Sequence, residues 1–265
     1  MKIVVLVKQV IDSEIPESAF LIDSSKKSVS TPPNITPVIN GYDEQAIEAA
    51  LRIRDSGLEV EIIAVSLSDS FIMDVIKKPL AMGADSLVLV EDPIFRQAVD
   101  PLPIIDTLKA VIEKIGDVDL ILSGRQASDW DNAQVPLGVA EILGMASVSL
   151  GKKVDGPDGK VRVERIIPDG YEVVEAPLPS LVTVSNELGQ PRYPTLRGIM
   201  AATRKKPTIW SASDLDLDSS QSSAKVSLRD LFVPVSDQDC EIIEGDDPGD
   251  SGRLLALKLR EDKVI

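Results

Sequence analysis

The chain opens on an apolar run, Lys2 to Val7, and similar short runs recur at "EVEIIAVSL", "SLVLVED" and "DVDLILSG". Each is rich in Val, Ile and Leu and bounded by polar or turn residues, as in strands buried on both faces. Between them apolar residues fall at helical spacing. In "NGYDEQAIEAALRIRDSG" these are Ala46, Ile47, Ala50, Leu51 and Ile53, and Ser56-Gly57 stops the element. "SDSFIMDVIKKPLAMGAD" opens on a Ser/Asp cap, breaks near Pro79 and ends at Gly83. "DPLPIIDTLKAVIEKIG" opens on Asp-Pro, and a further helix is predicted from Asn132 to Leu143, with Gly144 ending it. Strands alternating with helices of this length predict βαβ units and a mostly parallel sheet.

Two regions depart from that rhythm. "SEIPESAFLIDSSKKSVSTPPNITPVI" carries several prolines and serines and reads as a long loop with a hairpin. From about Ala146, "SVSLGKKVDGPDGKVRVERIIPDGYEVVEAPLPSLVTVS" alternates with period two around Gly/Asp turns, as antiparallel hairpins do. After Pro207, "SASDLDLDSSQSSAK" and "EGDDPGDSG" are polar and poor in core residues, so residues 207–265 are expected to form an extended C-terminal arm behind a body of residues 1–206. No internal repeat is visible.

Composition narrows the classes. The 265 residues are 43% hydrophobic, enough for a sizeable core, yet no apolar run is long enough to span a bilayer. "MKIVVLVKQV" is short and lacks a small-residue cleavage site, so it reads as a first strand rather than a signal peptide, and the expected compartment is the cytoplasm. There is no histidine, and Cys240 is the single cysteine. That removes Ser-His-Asp and Cys-His catalysis, the usual zinc sites and any intrachain disulfide. A formal net charge of −15 argues against nucleic acid as a partner.

The densest polar chemistry lies in "LILSGRQASDWDNAQVPLGVAEIL", at the predicted carboxyl end of a buried strand. Ligands of open parallel sheets bind there. Gly124 permits close backbone approach, the helix after the loop offers N–H groups to a phosphate, and Arg125 adds a charged donor. Asp129 and Asp131 suit ribose hydroxyls or backbone capping better than phosphate. The alternative is a helix N-cap with solvated polar residues, and the pattern leaves both readings open. It is neither a Walker motif nor Gly-x-Gly-x-x-Gly, and the two Asp lack the glycine and distal Glu of a calcium loop. Arg204-Lys205-Lys206 is a basic cluster that suits either a helix end or an acidic partner. Trp130 and Trp210 read as packing residues.

"LGQPRYPTLRGIMAATRKKP", Leu188 to Pro207, closely resembles the signature loop of electron transfer flavoprotein (ETF) beta subunits. Pro191, Arg192, Tyr193, Leu196, Ile199, Met200 and Ala202 match the pattern, while Gly189, Gln190 and Ala201 replace its Asn, Glu and Lys. "VERIIPDGYEVVEAPLPSLVTV" resembles the family's second signature through Arg165, Asp169, Gly170, Glu172, Pro179, Val182 and Thr183, with Pro168 where an acid is common. "MKIVVLVKQVID", "AMGAD" and "GRQASDWDNAQV" resemble further family segments in the right order.

The resemblance implies an adenine-nucleotide-binding, alpha-hydrolase-like α/β fold with a mostly parallel sheet, an antiparallel extension and an arm wrapping a partner. It implies electron transfer as one half of a heterodimer with an ETF alpha subunit, which holds or shares the FAD. The subunit is then an electron carrier, and no residue need be catalytic, because the flavin carries the electrons. The nucleotide in this subunit would be AMP, or a second FAD in bifurcating members that use NADH; the loop is closer to the bifurcating form, with Pro136 where Gly is common and a large Trp130. The implied nucleotide residues are Leu6, Asn40, Gly41, Tyr42, Asp43, Leu67, Gly124, Arg125, Gln126, Ala127, Ser128, Asp129, Trp130, Asp131, Asn132, Ala133, Gln134 and Val135. A recognition loop at about 186–206 would dock an acyl-CoA or other flavin dehydrogenase through Leu196, with Arg192, Tyr193, Arg197, Arg204 and Lys205 around it. The rival classes are a universal-stress-like nucleotide-binding regulator and a nucleotide hydrolase.

Overall fold

The computed structural model describes residues 1–96, 99–156, 159–215, 217, 224–234 and 240–265, in two compact units, Met1–Leu231 and Phe232–Ile265. In the first, β1 (Lys2–Leu6) is followed by the short strand β2 (Gln9–Val10), a hairpin of β3 (Leu21–Asp23) and β4 (Ser28–Ser30), and β5 (Val38–Ile39), which pairs with β2. Then come α1 (Gly41–Asp55), β6 (Glu61–Ser68), α2 (Met73–Ile76), α3 (Lys78–Met82), β7 (Ser86–Glu91), α4 (Pro101–Ile115), β8 (Leu120–Gly124) and α5 (Val135–Ile142). The chain continues through β9 (Ala146–Asp155), β10 (Lys160–Ile167), β11 (Gly170–Pro177), β12 (Ser180–Val184), α6 (Leu196–Arg204) and β13 (Thr208–Trp210).

Nine of these strands form one sheet in the order β11-β10-β9-β12-β8-β1-β6-β7-β13. The pairs from β9–β12 through to β7–β13 are parallel, and β9–β10–β11 is an antiparallel meander. The expected α/β class therefore holds. Residues of the central strands alternate between two apolar layers. Ile3, Val5, Ile62, Ala64, Leu120 and Leu122 pack towards the α1 and α3 side with Ile47 and Leu80. Val4, Ile63, Val65 and Ile121 pack with Leu108, Val111 and Val139 of α4 and α5.

Three expectations need correction. The last strand of the alternating region is not part of a hairpin: β12 inserts in parallel between β9 and β8, and all five of its residues are buried. Its "SLVTV" is a continuous buried run, so alternation was the wrong template for it. The fifth helix begins at Val135 rather than Asn132. Asp131 and Ala133 sit in the left-handed region (φ 51° and 54°), and Pro136 fixes the first turn. The arm also does not start at 207. β13 adds an edge strand to β7, Leu215 is buried, and the partly buried Trp210 packs on the same apolar layer. Beyond it, the buried Asp100 caps α4 through Leu102 N–H (2.9 Å) and accepts from Val226 N–H (2.9 Å), while Lys27 Nζ donates to Leu228 O (2.7 Å).

The second unit is not simply extended either. It holds α7 (Pro248–Glu261), capped by Asp247 accepting from Asp250 N–H at 2.8 Å. No residue of this helix is buried, and Leu255 and Leu257 are exposed. Its start was legible in Asp247-Pro248 before "LLALKL". Positions 218–223 of the serine-rich stretch and 157–158 of the β9–β10 turn lie outside the described residues.

Candidate functional site

Strand β1 connects through α1 to β6 on one side, and later chain returns as β8 on its other side. This reversal of winding opens a crevice at the carboxyl ends of β1 and β8, the place where open α/β sheets take ligands. The segments after those two strands meet there. Asp43, 5% exposed, is the junction: its carboxylate accepts Lys8 N–H at 2.8 Å and Gly124 N–H at 3.1 Å. Gly124 has no alternative, because a Cβ there would lie 2.5 Å from Asp43 Oδ1 and 2.6 Å from Tyr42 Cβ. The buried Asn40 ties the same parts from the other end. Its side-chain amide donates to Gln126 O (2.8 Å) and accepts from Ser128 N–H (3.2 Å).

Burial pushes the Asp43 carboxyl up to about 7, against the hydrogen bonds from Lys8 N–H, Asn40 and Gly124 N–H and the charge of Lys8. Lys8 also crosses the crevice with its side chain, pairing with Asp129 at 2.7 Å. Sequence reasoning missed Lys8. Its signal was a cation immediately after an apolar strand end.

The loop from Gly124 to Val135 presents both a filled and a free set of donors. Arg125 lies over the Tyr42 ring at 4.9 Å and donates from Nη2 to Tyr42 Oη at 3.2 Å, yet its Nε is buried without a partner. Gln126 donates to Asp131 at 2.7 Å. Asn132, Ala133, Gln134, Val135 and Leu137 donate their backbone N–H to no group among the described residues, and neither do Gly41 and Tyr42 at the head of α1. An orphaned buried guanidinium nitrogen and two uncapped helix N-termini at one end of the sheet fit an anionic ligand such as a nucleotide phosphate. Ala127 and Ser128 are half-buried, Asp129 to Gln134 are exposed, and Trp130 is 44% exposed rather than packed in the core. Leu6 and Leu67 belong to the apolar floor beneath β1 and β6. Among the described residues no cluster of acidic or cysteine ligands is suited to a metal.

The second group of expected residues lies on α6 and the segment before it. Tyr193 is 90% and Leu196 75% exposed, with Ile199 and Met200 half-exposed beside them. Thr195 caps the helix by accepting Gly198 N–H at 3.0 Å. Gly198 lets α6 approach α3, since a Cβ would lie 2.3 Å from Ala81 O. Arg197 and Arg204 form no ion pair among the described residues. Arg192 and Lys205 differ. Arg192 is engaged by Glu48 and Asp55, and Lys205 Nζ donates to Ala84 O (3.1 Å) and Asp85 O (2.8 Å). Both are exposed residues whose charged groups are nonetheless bonded within this chain.

Residues 35–215 match the family model "Electron transfer flavoprotein domain". The chain belongs to the electron transfer flavoprotein beta-subunit family. It is 35% identical over the whole of both chains to "Caffeyl-CoA reductase-Etf complex subunit CarD" of Acetobacterium woodii. It is 36% identical over the whole of both chains to the beta subunit of Clostridium acetobutylicum. Over 86% of this chain and 85% of the relative, it is 37% identical to that of Thermoanaerobacterium thermosaccharolyticum. No described helix is long and apolar enough to cross a membrane.

Asp43 gives this beta subunit a pH signature. Its folded pKa lies above the unfolded value near 3.8, so the folded state holds the proton more tightly. The resulting stabilisation is full below the unfolded pKa and is lost as pH rises through the folded one. Asp43→Asn should cost about 1–3 kcal/mol, because its NH₂ faces one of the two backbone donors. The wild-type advantage over Asp43→Asn in urea unfolding should shrink by about 1.4 kcal/mol per pH unit between pH 5 and 7. An advantage that stays flat over that range would mean the two N–H donors keep the carboxylate ionised.

Proposed function

We propose that this beta subunit pairs with an ETF alpha subunit, holds an adenine nucleotide in the β1/β8 crevice, and serves electron transfer between a flavin dehydrogenase and an acceptor. The observation that carries the nucleotide reading is Arg125 Nε, buried without a partner in the same loop whose far end leaves the N–H groups at the head of α5 unpaired. Arg125, Lys8 and the N–H groups of Ala133 to Val135 would hold the phosphates. Asn40 and Asp43 would act one layer behind, by fixing the loops that present those donors. The flavin, when bound, supplies the redox chemistry, and this chain supplies binding and orientation.

Two features favour a second FAD over AMP: the Gly-Arg-Gln-Ala-x-Asp-x-Asp form of the loop, and full-length similarity to a subunit of a caffeyl-CoA reductase-Etf complex. The free, exposed Cys240 suits a reducing compartment, and the cytoplasm is the proposed location. The exposed apolar face of Tyr193, Leu196, Ile199 and Met200, with Arg197 and Arg204 beside it, is proposed as the dehydrogenase-docking surface. The second unit, with a leucine-bearing helix that buries none of its residues, is proposed to order against the alpha subunit.

Three measurements check this reading. Denaturing the purified heterodimer should release two FAD per complex, whereas one FAD and one AMP would overturn the second-flavin proposal, and no nucleotide beyond one FAD would overturn the crevice as a nucleotide site. Leu196→Ala should weaken binding to the dehydrogenase on the order of 2 kcal/mol, as an anchor residue does, with flavin content and thermal stability unchanged; loss of flavin or of folding would make Leu196 a core residue instead. Amide exchange across α7 should be fast in the isolated subunit and slow on adding the alpha subunit, and protection already present in isolation would refute the wrapping role.

A further inference from the structure

The segment that leads into the docking helix is held by one face of α1. Arg192 Nε donates to Glu48 Oε2 at 2.7 Å, Arg192 Nη2 to Glu48 Oε1 at 3.2 Å and to Asp55 Oδ2 at 2.7 Å, and Arg192 N–H to Glu48 Oε2 at 3.1 Å. Glu48 is 5% exposed and also accepts from Arg52 Nε at 2.9 Å. Arg52 reaches the other end of the segment, donating from Nη1 to Leu188 O at 2.9 Å. Glu48, Arg52 and Asp55 follow a spacing of four and then three, so they share one face of the helix. They grasp the chain at both Leu188 and Arg192, four residues before Leu196.

We propose that Glu48, Asp55 and Arg192 form an internal clamp that fixes the pose of the docking segment before any partner arrives, so that Arg192 is a positioning residue and not a partner contact. The inference rests on the docking role assigned to Leu196. Nε and Nη2 of Arg192 are both committed to carboxylates of α1, and the carboxylate that takes most of these bonds is buried beyond a partner's reach. Burial alone would raise the Glu48 pKa, but hydrogen bonds from Arg192 and Arg52 outweigh it and leave the group below its ordinary value. The carboxylate therefore stays ionised and the clamp stays closed at neutral pH. The planar guanidinium fork supplies geometry that an ammonium lacks. Holding a loop in its bound pose removes an ordering cost from association, so the clamp acts on affinity and leaves the electron-transfer step alone.

The test uses the purified alpha–beta heterodimer and the flavin dehydrogenase with which it exchanges electrons, with KM for the heterodimer read separately from kcat. Leu196→Ala is the reference. Glu48→Gln and Arg192→Lys should each raise KM on the order of tenfold, with kcat and flavin content unchanged. The double variant Glu48→Gln/Arg192→Lys should be no worse than the weaker single, as groups acting through one contact are non-additive. Amides of residues 189–204 should exchange faster in Glu48→Gln while those of β1 and β8 do not. Arg192→Lys that behaves as wild type would show that positive charge alone suffices and would overturn the clamp. So would Glu48→Gln with an unchanged KM. If Glu48→Gln does not assemble, the exposed Asp55→Asn decides: a two- to threefold rise in KM supports the clamp, and no rise overturns it. If Leu196→Ala leaves KM unchanged, the docking role itself fails. If Leu196→Ala raises KM and the clamp variants do not, only the clamp fails.

Discussion

A single buried carboxylate holds the crevice together. Lys8, Asp43 and Gly124 lie far apart in the chain, and the Asp43 side chain bonds the other two through their backbone N–H groups. Taking an acid out of water is expensive unless it is paired and hydrogen-bonded. Here both oxygens have donors, yet burial still pushes the carboxyl up to about 7, against those hydrogen bonds and the charge of Lys8. The arrangement also dictates its surroundings. Bringing Asp43 within bonding distance of β8 presses Tyr42 onto position 124, where only glycine fits. That contact in turn brings the Tyr42 ring beneath Arg125, and the guanidinium ends with one nitrogen buried and unused. The unfilled donor is a consequence of how the loops are pinned.

Helix α1 carries this constraint across the molecule. Its first turn contributes Asn40, Tyr42 and Asp43 to the crevice, while its later turns contribute Glu48, Arg52 and Asp55 to the segment before α6. Between them Ala46, Ile47, Ala50 and Leu51 are buried against the sheet, so the helix is fixed on its inner face while its ends and outer face do separate work. On the α3 side, Glu44 pairs with Lys78 and Arg54 donates to Gly83 O. The crevice and the segment before α6 are thus bonded to one helix.

The sequence makes the central layers legible because burial writes a simple pattern. Continuous apolar runs marked β1, β6, β7 and β8, and helical spacing marked α1 and α4. It failed where long-range pairing outweighs local pattern. β12 looks like a hairpin strand beside β11, yet it crosses to the centre of the sheet, and nothing within "SLVTV" says which neighbours it will find. β13 is three residues that add to an open edge of β7, a tertiary choice invisible in a polar tail. In the candidate site, Asn40 bonds Gln126 and Ser128, and Asp43 bonds Gly124. Lys8 and Glu48 were missed for a shared reason: each is a charged residue beside apolar ones, and only the fold supplies the buried or crossing partner that gives it a role.

Charge is distributed against the average of the chain. The formal net charge is −15, but Leu188 to Pro207 contains five basic residues and no acidic one. The fold spends two of those charges internally, with Arg192 on α1 and Lys205 on the carbonyls after α3. Arg197 adjoins the exposed Leu196 at the start of α6, and Arg204 and Lys206 lie at and just beyond its end. Under the docking role proposed for α6, basic residues next to an exposed apolar face on an otherwise acidic chain would suit a partner that offers an apolar pocket with local acidic residues. Within about 10 Å, the screening length at moderate salt, the local basic field dominates; further away the acidic body does. Under the docking role proposed for Leu196, a partner would be steered mainly at short range, and orientation about that residue, rather than long-range capture, would control productive encounters.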